Sequence, residues 1–162
     1  MNYTISGLQP EPFRHLYGLP DVELARHRAR RVTAGESGFP ERIELRDANP
    51  GERLLLVNYE HQDADTPFRS SHAIYVREGA TEAWTGDHIP EVMRKRLLSL
   101  RAFSSDGMLL DADVIEGREA EALIERQFAN PDVAYIHAHY ARPGCYAARI
   151  DRAAKHFLGQ GI

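Results

Sequence analysis

Two histidines separated by a single residue stand in the segment YIHAHY, residues 135–140. Side chains alternate between the two faces of a β-strand, so Tyr135, His137 and His139 are expected to share one face. An imidazole titrates near neutral pH, which makes His137 or His139 a candidate general base. The same alternation is typical of a solvent-facing strand in an antiparallel sheet, so the pattern also has a purely structural interpretation.

Two imidazoles two residues apart on a strand can share a divalent metal ion when a neighbouring element adds a third ligand. The segment EHQDAD, residues 60–65, contains His61 and three carboxylates and directly follows a predicted central strand. Loops after strands commonly carry binding groups, although this segment matches none of the usual calcium or zinc spacings. If a metal binds, the predicted ligands are His61, His137 and His139, and the ion would act as a Lewis acid or activate water.

Cys145 is the single thiol of the chain, and it becomes a nucleophile only where nearby cations favour the thiolate. The face on which it lies depends on the loop of the last predicted hairpin. A two-residue loop turns Cys145 away from the histidines, whereas a three-residue loop brings it to the face of His137, His139 and Arg149. Free cysteine is otherwise typical of a buried core. The sequence leaves both registers open.

Arginine is the preferred side chain for carboxylate and phosphate ligands because its planar guanidinium donates several hydrogen bonds in one plane. Arg69 lies beside two serines in the segment PFRSSH, residues 67–72, and Arg149 lies in the last predicted strand. Tyr59 ends the predicted central strand. The sequence therefore predicts a small anionic ligand, with Arg69, Arg149 and Tyr135 as binding residues and Tyr59 as a further catalytic candidate.

Two functions fit these residues. In the first, the chain is a small-molecule enzyme, with His137 and His139 facing a concave pocket that Cys145 also joins in one register. In the second, it is a non-catalytic module that binds an anionic ligand or a protein through an open, flat sheet face. The shape of the surface around His137 and His139 distinguishes the two functions.

Short predicted elements position these residues. The predicted strands cover residues 3–5, 31–33, 43–45, 53–59, 73–77, 98–103, 108–114, 133–140 and 145–150. The predicted helices cover residues 21–27, 90–96, 119–128 and 151–158. Most connections have hairpin length, which predicts an α+β fold with a largely antiparallel sheet and three or four short helices. No linker or repeat divides the 162 residues, so we expect a single domain over 1–162.

Composition excludes several classes of protein. A third function, nucleic-acid binding through the cluster of Arg26, Arg28, Arg30 and Arg31, ranks last, because a net charge of −4 opposes it and a nucleic-acid coat needs a clustered basic surface. One cysteine excludes a disulfide framework. No apolar run approaches the length of a membrane span and no leader follows Met1, so we expect no membrane partner and a cytoplasmic location. A twofold homodimer is the default expectation for a soluble oligomer.

Five segments resemble a known family: GERL at 51–54, NYEH at 58–61, PFRS at 67–70, IYVRE at 74–78 and GCY at 144–146. They are similar to the bacterial domain of unknown function 1203 family, and the similarity extends over nearly the whole chain. The resemblance implies a single-domain bacterial protein. It implies no activity, cofactor or catalytic residue.

Overall fold

The computed structural model describes residues 2–153. The strands are β1 (Tyr3–Ser6), β2 (Arg30–Thr33), β3 (Pro40–Glu41), β4 (Arg46–Asp47), β5 (Arg53–Gln62), β6 (Ser70–Arg77), β7 (Thr85–Gly86), β8 (Leu97–Phe103), β9 (Leu109–Glu116), β10 (Tyr135–Tyr140) and β11 (Tyr146–Arg152). The α-helices are α1 (Asp21–Arg26), α2 (Glu91–Arg94) and α3 (Ala120–Phe128), with 3₁₀-helices at Glu11–Leu16 and Gly117–Glu119.

The strands of the described residues form two sheets. The first sheet has the order β7-β1-β11-β10-β8-β9, and the second has the order β2-β5-β6-β3-β4. Neighbouring strands are antiparallel except for β3 and β6, which are parallel. The predicted α+β class, with its antiparallel strands and short helices, is confirmed. The single-domain organisation stays a prediction. No helix in residues 2–153 is long and apolar enough to cross a membrane.

Strand β5 lies inside the second sheet, between β2 and β6, and its apolar run supplies side chains to both faces of that sheet. Leu54 packs with Ala34 and Ala48 on one side. Leu55 and Val57 belong to the larger cluster on the other side. The strand is therefore buried up to Val57, and the polar residues at its end, His61 and Gln62, contact the first sheet.

Strand β10 is central in the first sheet and is buried along its whole length. Ile136 and Ala138 belong to the cluster that also contains Leu123 and Phe128 of helix α3. The opposite face of β10 carries the histidines, and it is covered as well. The expected alternation is therefore present, but neither face of this strand lies open to solvent.

Residues 43–45, predicted as a strand, form a turn instead. The buried carboxylate of Glu41 accepts hydrogen bonds from the backbone N–H groups of Ile43 and Glu44 in the turn and from that of Arg77 in β6. These bonds satisfy backbone donors that a strand ladder would otherwise use. Ile43 and Leu45 are nonetheless buried, which explains their apolar character.

Two other segments differ from expectation. The predicted polar connection after residue 59 is shorter, because β5 continues to Gln62 and β6 begins at Ser70. The predicted helix 151–158 begins as strand, since Asp151 and Arg152 pair with β1. The remainder of that predicted helix lies outside the described residues.

Candidate functional site

Three histidines come together where the polar end of β5 meets the histidine face of β10. The ring centroid of His61 lies 4.8 Å from that of His139 and 6.3 Å from that of His137. The two rings on β10 are 6.5 Å apart. Tyr146 completes the cluster, stacked on His61 with a centroid distance of 5.5 Å. His137 and His139 are two residues apart in β10, and His61 lies near the end of β5. The packing of β5 against the first sheet brings the three rings together.

His61 lies on the same face of β5 as Val57 and Tyr59, which is the face toward the first sheet, and it is the site of a bulge. The pairing between β5 and β6 passes from Glu60 opposite Ser71 to Gln62 opposite Ser70, so His61 is the extra residue. Such a bulge re-aims side chains relative to regular alternation. The Oγ of Ser70 lies 3.0 Å from Nε2 of His61.

The same bulge brings the neighbouring Gln62 to the first sheet. Its side-chain Nε2 donates a buried hydrogen bond of 2.9 Å to the hydroxyl of Tyr135. Consecutive residues of β5 therefore both reach β10, with His61 at the histidine cluster and Gln62 one row further along. This bond ties the end of β5 to the strand that carries His137.

A second bulge sets the register of the last hairpin. Tyr146 lies opposite His139, but Ala148 lies opposite Ala138, so Ala147 is the extra residue. Arg149 then lies opposite His137. Tyr146 and Arg149 therefore occupy the histidine face although they are three residues apart.

Cys145 lies on the opposite face from the histidines. Its carbonyl accepts a hydrogen bond from the backbone N–H of Tyr140, so the loop comprises residues 141–144 and is longer than either loop considered from the sequence. The thiol sulfur instead accepts a hydrogen bond of 3.0 Å from Nη2 of Arg42. Cys145 therefore does not share the face of His137 and His139, which was one of the two outcomes left open by the sequence, because the loop at residues 141–144 places it opposite Tyr140.

The histidine face borders a concave pocket of about 340 Å³. Its wall includes Tyr59, His61, His137, Tyr146 and Arg149, together with the carboxylates of Asp63 and of Glu60, which is paired with Arg69. His137 is 3% exposed, and His139, which does not line the pocket, is 1% exposed. The surface is therefore concave at His137, whereas His139 is buried behind it.

The three imidazoles are neutral at pH 7. Burial, together with the positive charge of Arg101, lowers the pKa of His61 to about 4. Burial is also the main cause that lowers the pKa of His137 and of His139 to about 3. Each ring can therefore donate one hydrogen bond and accept another at neutral pH.

The hydrogen bonds of the rings differ. Nδ1 of His139 lies 3.0 Å from the carbonyl oxygen of Gly144, and a carbonyl only accepts, so this nitrogen carries the proton and Nε2 is the acceptor. Nδ1 of His137 is buried and has no hydrogen-bond partner in the described residues. A buried polar atom without a partner costs free energy and is uncommon in folded proteins.

Arginines flank His137 on both neighbouring strands. Arg101 of β8 and Arg149 of β11 lie directly opposite it. The guanidinium of Arg149 lies 4.1 Å from the ring centre of Tyr135, and its Nε donates to Asp151 at 3.0 Å. Arg101 is half-buried and has no carboxylate partner within residues 2–153. Two guanidinium groups therefore flank the neutral ring, that of Arg149 in an ion pair with Asp151 and that of Arg101 without one in the described residues.

No sequence pattern indicated that Arg101 and Tyr146 belong to this cluster. Arg101 reaches it because β8 pairs directly with β10, although β9 and helix α3 lie between these two strands in the sequence. No local pattern predicts which strand neighbours β10. For Tyr146, the only signal is its position after the last hairpin loop, and its face depends on the register.

Arg69 lies outside the pocket. Its exposed guanidinium forms an ion pair with Glu60, which neutralises the charge that was expected to hold an anion. Arg149 is the arginine of the predicted binding residues that lines the pocket.

No group of three or more His, Cys, Asp or Glu side chains in residues 2–153 is arranged to hold a metal ion. His61, His137 and His139 are close together, but their rings meet edge to face or at a tilt. Ligation by all three would need their nitrogen atoms to turn toward one point.

Comparison with known proteins gives one match. No curated protein and no solved structure is similar to the chain. A family model described as a protein of unknown function, DUF1203, matches residues 38–152, which contain the histidine cluster, both bulges and Arg101. The match covers well over half of the sequence, so the chain belongs to the DUF1203 family.

Proposed function

We propose that the chain is a small-molecule enzyme that binds an anionic substrate in the histidine pocket and moves a proton through His137. The observation that carries this proposal is His137, which lines the pocket and whose buried Nδ1 has no hydrogen-bond partner among residues 2–153. A substrate that hydrogen-bonds this atom recovers the free energy that its burial costs. Enzyme sites commonly combine such a buried titratable group with a concave pocket.

Arg149 and Arg101 supply the charge that attracts the substrate. Each lies beside His137 on a neighbouring strand, and Arg149 lines the pocket itself. A guanidinium favours carboxylate and phosphate groups because it can donate two parallel hydrogen bonds. We therefore assign the anionic group of the substrate to the Nη groups of Arg149, because Asp151 accepts only from Nε of this guanidinium, with Arg101 adding to the positive field.

Substrate binding also activates the base. The pKa of His137 is about 3, lowered by burial first and then by neighbouring groups that include His139, Arg149 and Arg101. An anion placed between these groups offsets their positive charge and raises the pKa of His137 toward neutrality. An imidazole with a pKa near the working pH is an efficient general acid or base.

The other pocket residues orient the reaction. His139 is fixed by its bond to Gly144 and presents an acceptor nitrogen toward the cluster. Burial raises the pKa of Tyr59, so its hydroxyl stays protonated and can donate to the substrate. His61 adds a neutral ring between these groups.

A non-catalytic binding module is the alternative function. The hollow shape of the pocket and its volume of about 340 Å³ favour a small molecule over a protein partner. A module would use Arg149 and His137 in the same way for binding but would release the ligand unchanged. Turnover therefore distinguishes the two functions.

A divalent metal is a second candidate occupant, with His61, His137 and His139 as ligands. Two observations favour it: the rings lie within 6.5 Å of one another, and the Nδ1 atoms of His61 and His137 are unpartnered. Titration of the purified chain with Zn²⁺, followed by calorimetry, tests it. Stoichiometric binding that is lost in His139→Ala would support the metal site, and weak binding at surface histidines would refute it.

Thermal-shift screening with small carboxylates and phosphate esters, such as succinate and glycerol 3-phosphate, tests the anionic substrate. We expect a ligand that raises the Tm of the wild type and loses roughly tenfold in affinity with Arg149→Gln, the cost of one charge-assisted hydrogen bond. The exposed Arg53→Gln variant, which lies outside the pocket, is the matched control.

The catalytic role of His137 is then tested with each ligand found. His137→Asn should abolish its conversion, followed by NMR, while keeping most of the binding. Binding without conversion by the wild type would support the module. Binding that is indifferent to Arg149→Gln would contradict both functions.

A further inference from the structure

A second cavity of about 500 Å³ lies between the two sheets, on the opposite side of the last hairpin from the histidine pocket. Leu56 and Ile74 of the second sheet form one wall, and Leu97 and Tyr140 of the first sheet form another. Cys145 opens into it as well. The cavity shares no lining residue with the histidine pocket, so the function proposed above does not account for it.

Arg42 is the most unusual residue of this cavity. It is 1% exposed and forms no ion pair with a carboxylate in residues 2–153. Its guanidinium donates one hydrogen bond each to the carbonyl of Tyr146, the carbonyl of Pro40 and the sulfur of Cys145. A guanidinium has five N–H groups, so two remain without an acceptor in this part of the chain.

A buried cation without a counter-charge is expensive to keep in a protein interior. The neighbouring basic residues do not resolve this, because Lys95 and Arg96 both pair with Asp47. Arg142 adds a further positive charge at the cavity, is exposed, and has no carboxylate partner in the described residues. Glu116 is the one carboxylate among the described lining residues, against the four cations of Arg42, Lys95, Arg96 and Arg142, so the cavity has an excess of positive charge.

Tyr140 provides a second, independent observation. Its ring lies 5.1 Å from the guanidinium carbon of Arg42, and its hydroxyl oxygen is buried without a hydrogen-bond partner. Burial raises the pKa of Tyr140 to about 12, so the hydroxyl keeps its proton and remains a donor. Donors without acceptors thus accompany the uncompensated charge at the same cavity.

We infer that this cavity is a binding site for an organic carboxylate with an apolar body. The carboxylate would accept hydrogen bonds from the free N–H groups of Arg42 and from the hydroxyl of Tyr140, with Arg142 closing the outer side. The apolar body would lie against Leu56, Ile74 and the aromatic ring of Tyr75. A phosphate ion alone would leave that apolar wall uncovered.

Calorimetry of the full-length protein with three probes tests the inference. The probes are 2-naphthoate, the neutral 2-naphthalenemethanol with the same body, and inorganic phosphate. We expect 2-naphthoate to bind roughly tenfold or more tightly than either of the others, the loss expected for charge-assisted hydrogen bonds. Bound 2-naphthoate should also slow the alkylation of Cys145 by iodoacetamide, because the thiol lies at the same cavity.

Two variants locate the site without disturbing the buried Arg42. Arg142→Gln changes an exposed side chain and Tyr140→Phe removes only an unpartnered hydroxyl, so both should fold. Each should weaken 2-naphthoate binding severalfold, whereas Arg53→Gln and His137→Asn should not. Equal binding of the acid and the alcohol, equal binding of phosphate, no binding of 2-naphthoate, or binding indifferent to both variants would each overturn the inference.

Discussion

His137 combines features that no single residue pattern could have predicted. The alternation in β10 placed it on the face of His139, and Tyr59, His61 and Arg149 join it as candidate site residues around one pocket. Arg101 lies on the other side of His137 because β8 pairs with β10, two strands that β9 and helix α3 separate in the sequence. The sequence therefore predicted the candidate side chains of the pocket, but it did not predict that the guanidinium of Arg101 lies beside His137.

The pH dependence of stability follows from this burial. The unfolded chain binds a proton at each histidine near pH 6.5, whereas folded His137 and His139 do so only near pH 3. Between these values the unfolded state holds more protons, so stability falls as the pH falls. Each of the two buried rings should cost about 2 kcal/mol of unfolding free energy between pH 7 and pH 5.

The variant His137→Gln tests this sign and size. It should lose about 2 kcal/mol less than the wild type over the same pH interval, measured by urea unfolding at pH 7 and pH 5. The exposed His15→Gln is the matched control and should keep the wild-type dependence. An unchanged pH dependence in His137→Gln would show that this ring is protonated in the folded state.

At the scale of elements, two bulges decide which side chains meet. His61 is extra in β5 and Ala147 is extra in β11, and each shifts the alternation of its strand. Hydrophobic periodicity located both strands, because buried leucines and alternating residues leave a clear pattern. It could not locate a single inserted residue or fix the length of the last hairpin loop, and the faces of Arg149 and Cys145 depended on these two features. This is why the strands were predictable and the composition of the pocket was only partly so.

The hydrogen bond from Gln62 of β5 to Tyr135 of β10, which links the two sheets, can be tested by comparing two Tyr→Phe substitutions. Tyr135→Phe leaves the buried Nε2 of Gln62 without its acceptor and should cost about 1–2 kcal/mol of unfolding free energy. Tyr140→Phe removes a hydroxyl that has no partner and should leave stability unchanged or slightly higher. Chemical denaturation of both variants measures the difference. Equal losses would contradict the hydrogen bonding described here.

At the scale of the whole molecule, the two sheets are joined away from the histidines by Asp47. This carboxylate lies in β4 of the second sheet and binds Arg96, at the start of β8 in the first sheet, with oxygen–nitrogen distances of 2.7 and 3.1 Å. Lys95 adds a contact of 2.5 Å. Burial alone would raise the pKa of Asp47, but the bonds from Arg96 and Lys95 outweigh it and lower that pKa.

Asp47→Asn should therefore cost about 1–3 kcal/mol of unfolding free energy at pH 7, the range for hydrogen bonds to charged groups. Because the carboxylate has a lowered pKa, its contribution is present above its usual value of 3.8 and is lost as the pH falls below it. The curves of the variant and the wild type should converge there. Asp113→Asn, at an exposed ion pair on β9, is the control and should have a much smaller effect.

The extra residue in β11 has a consequence for how this chain can change. The hairpin of β10 and β11 serves both cavities, with Tyr146 and Arg149 toward one and Cys145 toward the other. If β11 paired regularly after Tyr146, with no bulge at Ala147, Arg149 would lie opposite Ile136, on the face that packs beneath helix α3. Substitutions can thus tune either cavity separately, but a change in the length of the loop at residues 141–144 would shift the register of β11 and rearrange both cavities at once.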